Sequence, residues 1–277
     1  MERDFIYFLS TGATCYRRLS NFADARIQLR LSTVPMYASL ISPRIPLHQL
    51  PSILSFPSSE HAWQALKADD LDTFQAFMTD GKFAVFNTEV IVRFIQKQNE
   101  SNEDAFARAL KKVVWYTRDR LSLVGVMAKY AANPKRAKRM GYPLRQDCEL
   151  LPAETEKMVW HELLMAKFKQ NDAARHALLG TGNKQLVELD RGARTRGSHW
   201  GGLVEEDGTL IGDNKMGQFL ERVRRELQAD PVYMQEFMDV EEAMPVVSRK
   251  RKRQNKKEGS SAKRARLAPV PAIVESQ

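Results

Sequence analysis

The sequence predicts a mainly α-helical protein with a small β element near its N-terminus, which is an α+β fold class. Residues 5–9 form a short apolar run, and residues 26–31 alternate strictly between polar and apolar side chains, as β-strands do. Apolar residues then recur mostly at helical spacing as far as about residue 230. Together these observations predict a small sheet attached to a larger helical body.

The helices follow from this periodicity and from the residues that begin and end helices. Prolines at positions 35, 43, 46 and 51 predict irregular structure ahead of an extended segment at residues 53–56. Pro57 and the pair Ser58 and Ser59 then predict the start of a short helix. Longer helices are predicted at residues 103–131, 153–169, 172–179 and 214–229.

The composition places the basic charge of the chain at one end. The 277 residues carry a net charge of +9, and residues 248–277 alone contain ten Lys and Arg against two Glu, so the remainder is close to neutral. The two cysteines, Cys15 and Cys148, are too few for a disulfide framework, and no Cys/His spacing suggests zinc. No long apolar run occurs. We expect an intracellular protein without metal, cofactor or membrane span.

The C-terminal residues predict a disordered tail. After about Pro245 the chain is rich in Lys, Arg, Ser, Gln and Gly and cannot bury enough apolar surface to fold. We therefore predict one domain at residues 1–230, a linker at 231–247 and a tail at 248–277. Its two basic clusters, which run from Arg249 to Arg253 and from Lys263 to Arg266, resemble a two-part import signal. This predicts binding to the nuclear import machinery and a nuclear, eukaryotic location rather than a cytoplasmic one; a nucleic-acid tether or a plain solvated tail is the alternative.

The short helix after Pro57 carries the most informative polar group of the sequence. At helical spacing Glu60, Gln64 and Lys67 fall on one face, whereas Trp63 lies on the opposite, apolar face. A carboxylate, an amide and an ammonium on one stripe suit a polar substrate. The same pattern is also typical of an ordinary surface helix, so this segment needs support from elsewhere in the chain.

Several separated motifs provide that support, and in their order the chain resembles the NADAR family, also called YbiA-like. The resemblance covers roughly residues 4–228, interrupted by an apparent insertion at about residues 69–126. The motifs that carry it are Leu19-Ser20-Asn21-Phe22, the block from Glu60 to Lys67, Arg139-Met140-Gly141 with Leu144-Arg145, Ala166-Lys167-Phe168, Leu186-Val187-Glu188, Trp200-Gly201, and the run from Gly212 through Asn214 to Gly217.

The resemblance implies a compact, mainly helical fold and an N-glycosidase activity. Members of the family cleave a bond between ribose carbon one and an exocyclic nitrogen, either in ADP-ribosylated guanine or in phosphorylated intermediates of riboflavin synthesis. Such cleavage passes through an oxocarbenium-like transition state and calls for a carboxylate near the sugar and a proton source for the departing nitrogen. The carboxylates within the matching motifs are Glu60 and Glu188, and we rank Glu60 first. Either could instead pair or cap structurally.

Two lysines are candidates for a catalytic amine. Lys167 falls inside the apolar stripe of its predicted helix, where a desolvated amine with a lowered pKa could attack the anomeric carbon or hold a phosphate. The alternative is a lysine whose stem lies on the core and whose head reaches water. Lys67, on the face of Glu60, is the second candidate, and its alternative is an exposed helical lysine.

The remaining candidates would bind substrate. Arg139 and Arg145 lie in a basic segment that suits phosphate. The aromatic rings of Trp63 and Trp200 could stack on a base or sugar, although a buried tryptophan is more often part of a core. Backbone amides ahead of the helix that Asn214 begins could receive a phosphate, or this run is a plain loop. The full set of predicted binding residues is Asn21, Phe22, His61, Trp63, Gln64, Arg139, Gly141, Arg145, Trp200, Gly201, Asn214 and Gly217.

The functional hypothesis is a nuclear N-glycosidase that removes ADP-ribose from guanine in a nucleic acid or nucleoside. One departure from the family weakens it: the acid usually found three residues before the Trp-Gly pair is Gly197 in this chain. Two alternatives therefore stay open. The first keeps the chemistry but acts on riboflavin-pathway intermediates, and the second is a non-catalytic module that binds ADP-ribose or nucleic acid.

Overall fold

The structure is a computed structural model, and it describes residues 5–9, 15–85, 87–97, 100–118, 123–142, 144–145 and 151–243. The predicted disordered tail and both of its basic clusters lie outside these residues. The chain divides into two compact units, Met1–Leu227 and Gln228–Gln277. The domain boundaries drawn from the sequence stay predictions.

Helices make up most of the described residues, which confirms the mainly α-helical class. Within the first unit and across its end they are α1 (Pro35–Ile41), α2 (Ser59–Ala65), α3 (Leu71–Ala76), α4 (Thr88–Ile95), α5 (Asn102–Arg118), α6 (Leu123–Ala131), α7 (Pro134–Arg139), α8 (Ala153–Gln170), α9 (Asp172–Leu179), α10 (Ala193–Arg196) and α11 (Lys215–Ala229). The second unit contains α12 (Pro231–Ala243). Short 3-10 turns lie at Cys15–Leu19, Leu31–Thr33 and Leu47–Gln49.

The strands form three two-stranded sheets among the described residues. Strand β1 (Phe5–Phe8) pairs in parallel with β4 (Gln185–Glu188), with Phe8 opposite Glu188. The antiparallel pairs are β2 (Ile27–Arg30) with β3 (Ile53–Phe56), and β5 (Leu203–Val204) with β6 (Leu210–Ile211). Both predicted N-terminal strands are present, but they belong to different sheets. Period-two patterning reveals that a strand has a buried face, whereas the partner depends on the tertiary fold.

Several helix boundaries differ from the sequence prediction for identifiable reasons. Pro35 was expected to break regular structure, yet it is the first residue of α1, a position where a missing N–H costs nothing. The single predicted helix at 103–131 is divided into α5 and α6. The predicted linker at 231–247 contains α12, which begins at Pro231 in the same way.

Helix α8 lies at the centre of the fold and determines where the site forms. Its buried residues Trp160, Leu164 and Phe168 face a core that receives α1, α2, α9 and β2. At the N-terminus of α1, the Glu162 carboxylate of α8 accepts hydrogen bonds from the backbone N–H groups of Met36 and Tyr37, at 3.0 and 2.9 Å. The hydrophobic core thus holds α2 beside α8, and Glu188 at the end of β4 lines the same cavity.

Two further observations on the described residues concern membrane-spanning helices and metal-binding groups. Within the described ranges, no helix has both the length and the apolar character that a transmembrane span requires. The same residues contain no group of three or more His, Cys, Asp or Glu side chains placed to bind a metal ion.

Candidate active site

A cavity of about 1180 Å³ lies between α2, α8, the end of β4 and the loop that follows α10. Its volume is at or just above the usual upper limit for small-molecule sites, which is on the order of 1000 Å³. The predicted site residues that line this cavity are Asn21, Phe22, Glu60, Trp63, Gln64, Lys67, Glu188, Trp200 and Gly201. The structure therefore brings together motifs that are separated by more than a hundred residues in the sequence.

Glu60 is a buried carboxylate held by two amide side chains. The Ser58 hydroxyl caps α2 and fixes its first turn, so that Glu60 points into the cavity wall. Gln64 donates to Glu60 Oε1 at 2.7 Å, and the amide of Asn21 donates to Oε2. Burial raises the pKa of Glu60, while the Gln64 hydrogen bond, the charge of Lys67 and the Asn21 hydrogen bond act to lower it.

Glu188 is the second carboxylate of the cavity, and its surroundings differ from those of Glu60. It is the last residue of β4, and its backbone N–H donates to the Asn214 side chain at 3.1 Å. Burial and the negative charges of Glu60 and Asp190 raise the pKa of Glu188 to about 8, and the nearby Lys167 opposes this shift.

The two carboxylates differ in the groups that surround them. Glu60 accepts two hydrogen bonds and lies near an ammonium, which opposes the effect of burial on its pKa. Glu188 lies near two other carboxylates, whose charges add to the effect of burial. Glu188 is therefore the better suited of the two to act as the acid.

Three tryptophans form an aromatic wall of the cavity. Trp63 and Trp160 stack with ring centroids 4.9 Å apart, and the edge of Trp200 meets both rings at 5.9 and 5.6 Å. Trp63 and Trp200 were predicted as binding residues, whereas Trp160 was not. The wall offers a flat apolar surface on which a heterocycle can stack.

Two buried polar atoms in the cavity lining have no hydrogen-bond partner within the described part of the chain. They are Oε1 of Gln64 and Nε1 of Trp160, whose side chains are 4% and 1% exposed. Leaving a buried donor or acceptor unpaired costs roughly 1–3 kcal/mol. Both atoms have almost no accessible surface, so a ligand in the cavity does not reach them.

The two candidate lysines occupy different places. Lys67 lines the cavity and is close enough to influence the charge of Glu60. Lys167 is fully buried and donates to the backbone carbonyls of Leu19 and Ser20, at 3.2 and 2.7 Å. Burial lowers the pKa of Lys167 to about 7, and Glu188 opposes this. Lys167 therefore supports the segment that carries Asn21, and Lys67 is the lysine that faces the cavity.

Other predicted residues are buried and do not line the cavity. The His61 ring is buried between the Ser58 hydroxyl and the Phe83 carbonyl, and burial lowers its pKa to about 4. Asn214 is buried and bonds to the Leu186 carbonyl at 2.8 Å as well as to Glu188 N–H. A Cβ at Gly217 would lie 2.1 Å from that same carbonyl, so only glycine allows α11 to approach β4.

The predicted phosphate-binding residues lie outside the cavity. Arg139 donates to the Gln96 carbonyl at 2.7 Å on an exposed surface. Gly141 lines a separate cavity of about 820 Å³ that also contains Asp70 and Asp72. Arg145 lies 3.6 Å from Asp69 and lines a smaller apolar cavity of about 220 Å³, on which Trp63 and Lys67 also border.

In the loop that carries Trp200 and Gly201, sequence reasoning missed several polar residues that line the cavity. His199 contacts Asp213 at 3.1 Å through Nδ1 and the buried Glu156 at 3.3 Å through Nε2, and its ring meets the edge of Trp200. A carboxylate oxygen of Asp190 lies 2.6 Å from the guanidinium of Arg196, which precedes the same loop. The further lining residues missed are Asp190, Arg196, Ser198, His199 and Asp213. The concentration of charged and glycine residues around the Trp-Gly pair was the available signal.

The backbone conformation at position 197 explains why this residue is a glycine. Its φ of 69° and ψ of 171° fall in a region that is essentially restricted to glycine. An acidic residue at this position would therefore strain the loop. Asp190 and Asp213 provide carboxylates on the same side of the cavity.

Comparison with known proteins agrees with the motifs. Residues 104–228 match the profile of the NADAR domain, a stretch that includes Lys167, Glu188 and Trp200 but not α2. The chain is similar to the NMR structure of the E. coli protein YbiA, with 20% identity over 82% of this chain and 87% of that chain and a TM-score of 0.38. No curated protein matches the sequence. The resemblance to the NADAR family predicted from the separated motifs is therefore confirmed, with the match lying at residues 104–228.

Proposed function

We propose that the protein is an N-glycosidase that hydrolyses the N-ribosyl bond of ADP-ribosylated guanine in nucleic acid. The NADAR family is associated with N-glycosidase hydrolase activity. The observation that carries the proposal is the pair of carboxylates, Glu60 and Glu188, which border one cavity beside an aromatic wall and differ in their hydrogen bonds and neighbouring charges.

The pair supplies both proton transfers that the hydrolysis needs. As the bond between ribose carbon one and nitrogen breaks, the neutral carboxyl of Glu188 donates its proton to the departing nitrogen. The ionised carboxylate of Glu60 stabilises the positive charge that develops on the sugar and accepts a proton from the attacking water. Exchange with solvent then returns each carboxyl to its starting state.

The other lining residues fit the parts of the substrate. The rings of Trp63, Trp160 and Trp200 suit the guanine base. Lys67 and Arg196 supply positive charge for the pyrophosphate. A cavity of this size suits a nucleotide-sized ligand.

Lys67 is also placed to act as the amine that reaches carbon one of an opened ribose. Attack by the amine breaks the bond between carbon one and the guanine nitrogen, which leaves with a proton from Glu188, and forms an imine between Lys67 and the sugar. Water then hydrolyses the imine, which frees ADP-ribose and restores the Lys67 amine. Borohydride reduction during turnover would trap such an adduct at Lys67. Without a trapped adduct, Lys67 acts through its charge on Glu60 and on the phosphates.

The test is release of ADP-ribose from a short oligonucleotide that carries guanine-linked ADP-ribose. The full chain is compared with Glu60→Gln, which keeps the size and hydrogen bonding of the side chain but removes its charge. Glu206→Gln, an exposed glutamate in the turn between β5 and β6, is the matched control. Phosphorylated riboflavin-pathway intermediates are assayed in parallel.

We expect release with the parent and with Glu206→Gln, and loss by about 100-fold or more with Glu60→Gln. Turnover of the riboflavin-pathway intermediates alone would assign the other substrate class. Tight binding of ADP-ribose with no turnover of either substrate would show a binding module instead.

A further inference from the structure

Helix α7 and the end of α4 together carry an exposed group of positive charges. We call it the basic surface and define it as Arg93, Lys97, Lys135, Lys138 and Arg139, all of which are exposed to solvent. Helix α7 contains four basic residues and no acidic residue among its six positions. The first unit outside this region is close to neutral, so the charge is concentrated locally.

The two helices are joined directly at this surface. The guanidinium of Arg139 donates to the carbonyl of Gln96 at 2.7 Å, immediately after the last residue of α4. This bond places the end of α7 beside Lys97. The five charges thus belong to one continuous surface rather than to two separate helices.

Acidic side chains offset little of this charge, although Glu100 interacts electrostatically with Lys97. Within the described part of the chain, none of the five residues takes part in an ion pair. The nearest acid along the chain, Glu100, is held by Arg108, which bonds to both of its carboxylate oxygens. Along α6 the pKa of Lys129 is lowered by burial and by the charge of Arg136 on α7, as expected next to uncompensated positive charge.

The basic surface is connected to the active-site cavity by a few residues of chain. Ala132 follows the last residue of α6 and lines the cavity, and Asn133 caps the start of α7 by accepting from the backbone N–H of Arg136. Chain that leaves the cavity wall therefore enters the basic helix at once. The start of α7 therefore lies two residues from the cavity lining.

We propose that the basic surface binds the phosphate backbone of single-stranded nucleic acid and directs a modified base into the cavity. This inference rests on the proposed function, because it names the polymer that presents the ADP-ribosylated base. A polyanion matches five unpaired basic side chains by charge. The site groups lie inside a cavity, so the base must be outside a duplex stack, which favours a single strand.

Binding of an unmodified strand tests the surface separately from catalysis. The probe is a fluorescently labelled single-stranded oligonucleotide, and its anisotropy is measured with the full chain at several salt concentrations. The variant Lys135→Glu/Lys138→Glu is compared with Arg18→Glu/Arg30→Glu, which changes the net charge equally at exposed positions on other elements. The C-terminal tail is present in both, so its contribution cancels in the comparison.

We expect the α7 pair to weaken binding at least tenfold relative to the control pair. Loss of two phosphate contacts should also reduce the slope of log affinity against log salt by about 1.4. Equal binding by the two variants would overturn the proposal.

Activity provides a second, independent readout. For the modified oligonucleotide the α7 variant should raise KM with little change in kcat, whereas its kinetics on ADP-ribosylated guanosine should equal those of the parent. If the parent cleaves neither substrate while the α7 variant still binds the strand more weakly than the control, the proposed function fails and the strand-binding surface stands. A KM that rises equally on the oligonucleotide and the nucleoside would contradict strand binding through α7.

Discussion

Glu188 illustrates how neighbours change the chemistry of a residue that looks ordinary in the sequence. Glu188 is the last residue of β4 and lies two residues before Asp190. The negative charges of Asp190 and Glu60 add to the effect of burial on its pKa. A carboxyl with a pKa of about 8 keeps its proton at neutral pH and can donate it. The sequence identified Glu188 as a candidate but ranked it below Glu60, since neither burial nor the nearby charges could be read from it.

The pH dependence of the rate tests this assignment. Because the reaction needs the protonated form of Glu188, we expect kcat to fall as the pH rises through about 8. Glu188→Gln should lower kcat by about 100-fold or more and remove this alkaline decrease. The measurement is kcat between pH 5 and 10 for the parent, the variant and the Glu206→Gln control. An unchanged alkaline limb in Glu188→Gln would assign it to another group.

The two lysines should respond differently to the same substitution. Lys67→Met removes an amine that lines the cavity, so we expect kcat to fall by about 100-fold while the folding stability changes little. Lys167→Met removes the hydrogen bonds to the carbonyls of Leu19 and Ser20 and should lower the free energy of unfolding by about 1–3 kcal/mol. Urea denaturation and single-turnover rates measure the two effects. The reverse pattern would place the catalytic amine at Lys167.

At the scale of elements, the loop that carries Trp200 is held by contacts from two directions. His199 joins Asp213, near the start of α11, to Glu156 on α8, and so fixes the Trp200 ring against Trp63 and Trp160. We expect His199→Ala to raise KM by about tenfold, since loss of about 1.4 kcal/mol of positioning corresponds to a factor of ten. Its effect on kcat should be smaller. Steady-state kinetics, with His48→Ala as an exposed control, measure this; an unchanged KM would show that the loop is held without His199.

The elements themselves were partly predictable. The helix at α9 was predicted with the bounds that the structure has, and α8 and α11 differ by one residue, because each has clear periodicity and terminal residues. The pairing of β1 with β4 was not predictable from patterning, since both strands are four residues long and distant in sequence. That pairing is what brings Glu188 to the cavity. The short helices α3 and α10 were missed, because each covers fewer than two turns.

At the scale of the molecule, the tail should affect location and non-specific binding but not turnover. Ending the chain after residue 247 should leave the hydrolysis rate of ADP-ribosylated guanosine unchanged, because the described residues that line the cavity all belong to the first unit. Weak, salt-dependent affinity for unmodified nucleic acid should decrease. Nucleoside kinetics and localisation of a tagged chain check these expectations. A collapse of nucleoside turnover would mean that the tail contributes to the site.

The candidate site could be predicted in outline from sequence, but its assembly could not. Nine of the predicted residues line the cavity. They come from separated motifs that were chosen for their polar and aromatic residues. Arg139 and Arg145 were expected to bind substrate phosphate from their charge alone, yet they lie outside the cavity on exposed or neighbouring surfaces. Charge is visible in a sequence, whereas the direction in which a side chain points is set by packing.

The central claim is that Glu60 and Glu188 together cleave an N-ribosyl bond in this cavity. The most direct test is the single-turnover release of ADP-ribose from guanine-linked ADP-ribose at pH 7, with ADP-ribose affinity measured for the same proteins. We predict that Glu60→Gln and Glu188→Gln each lose at least about 100-fold in rate while they bind ADP-ribose as the parent does. Release at the parental rate by either variant would contradict the account.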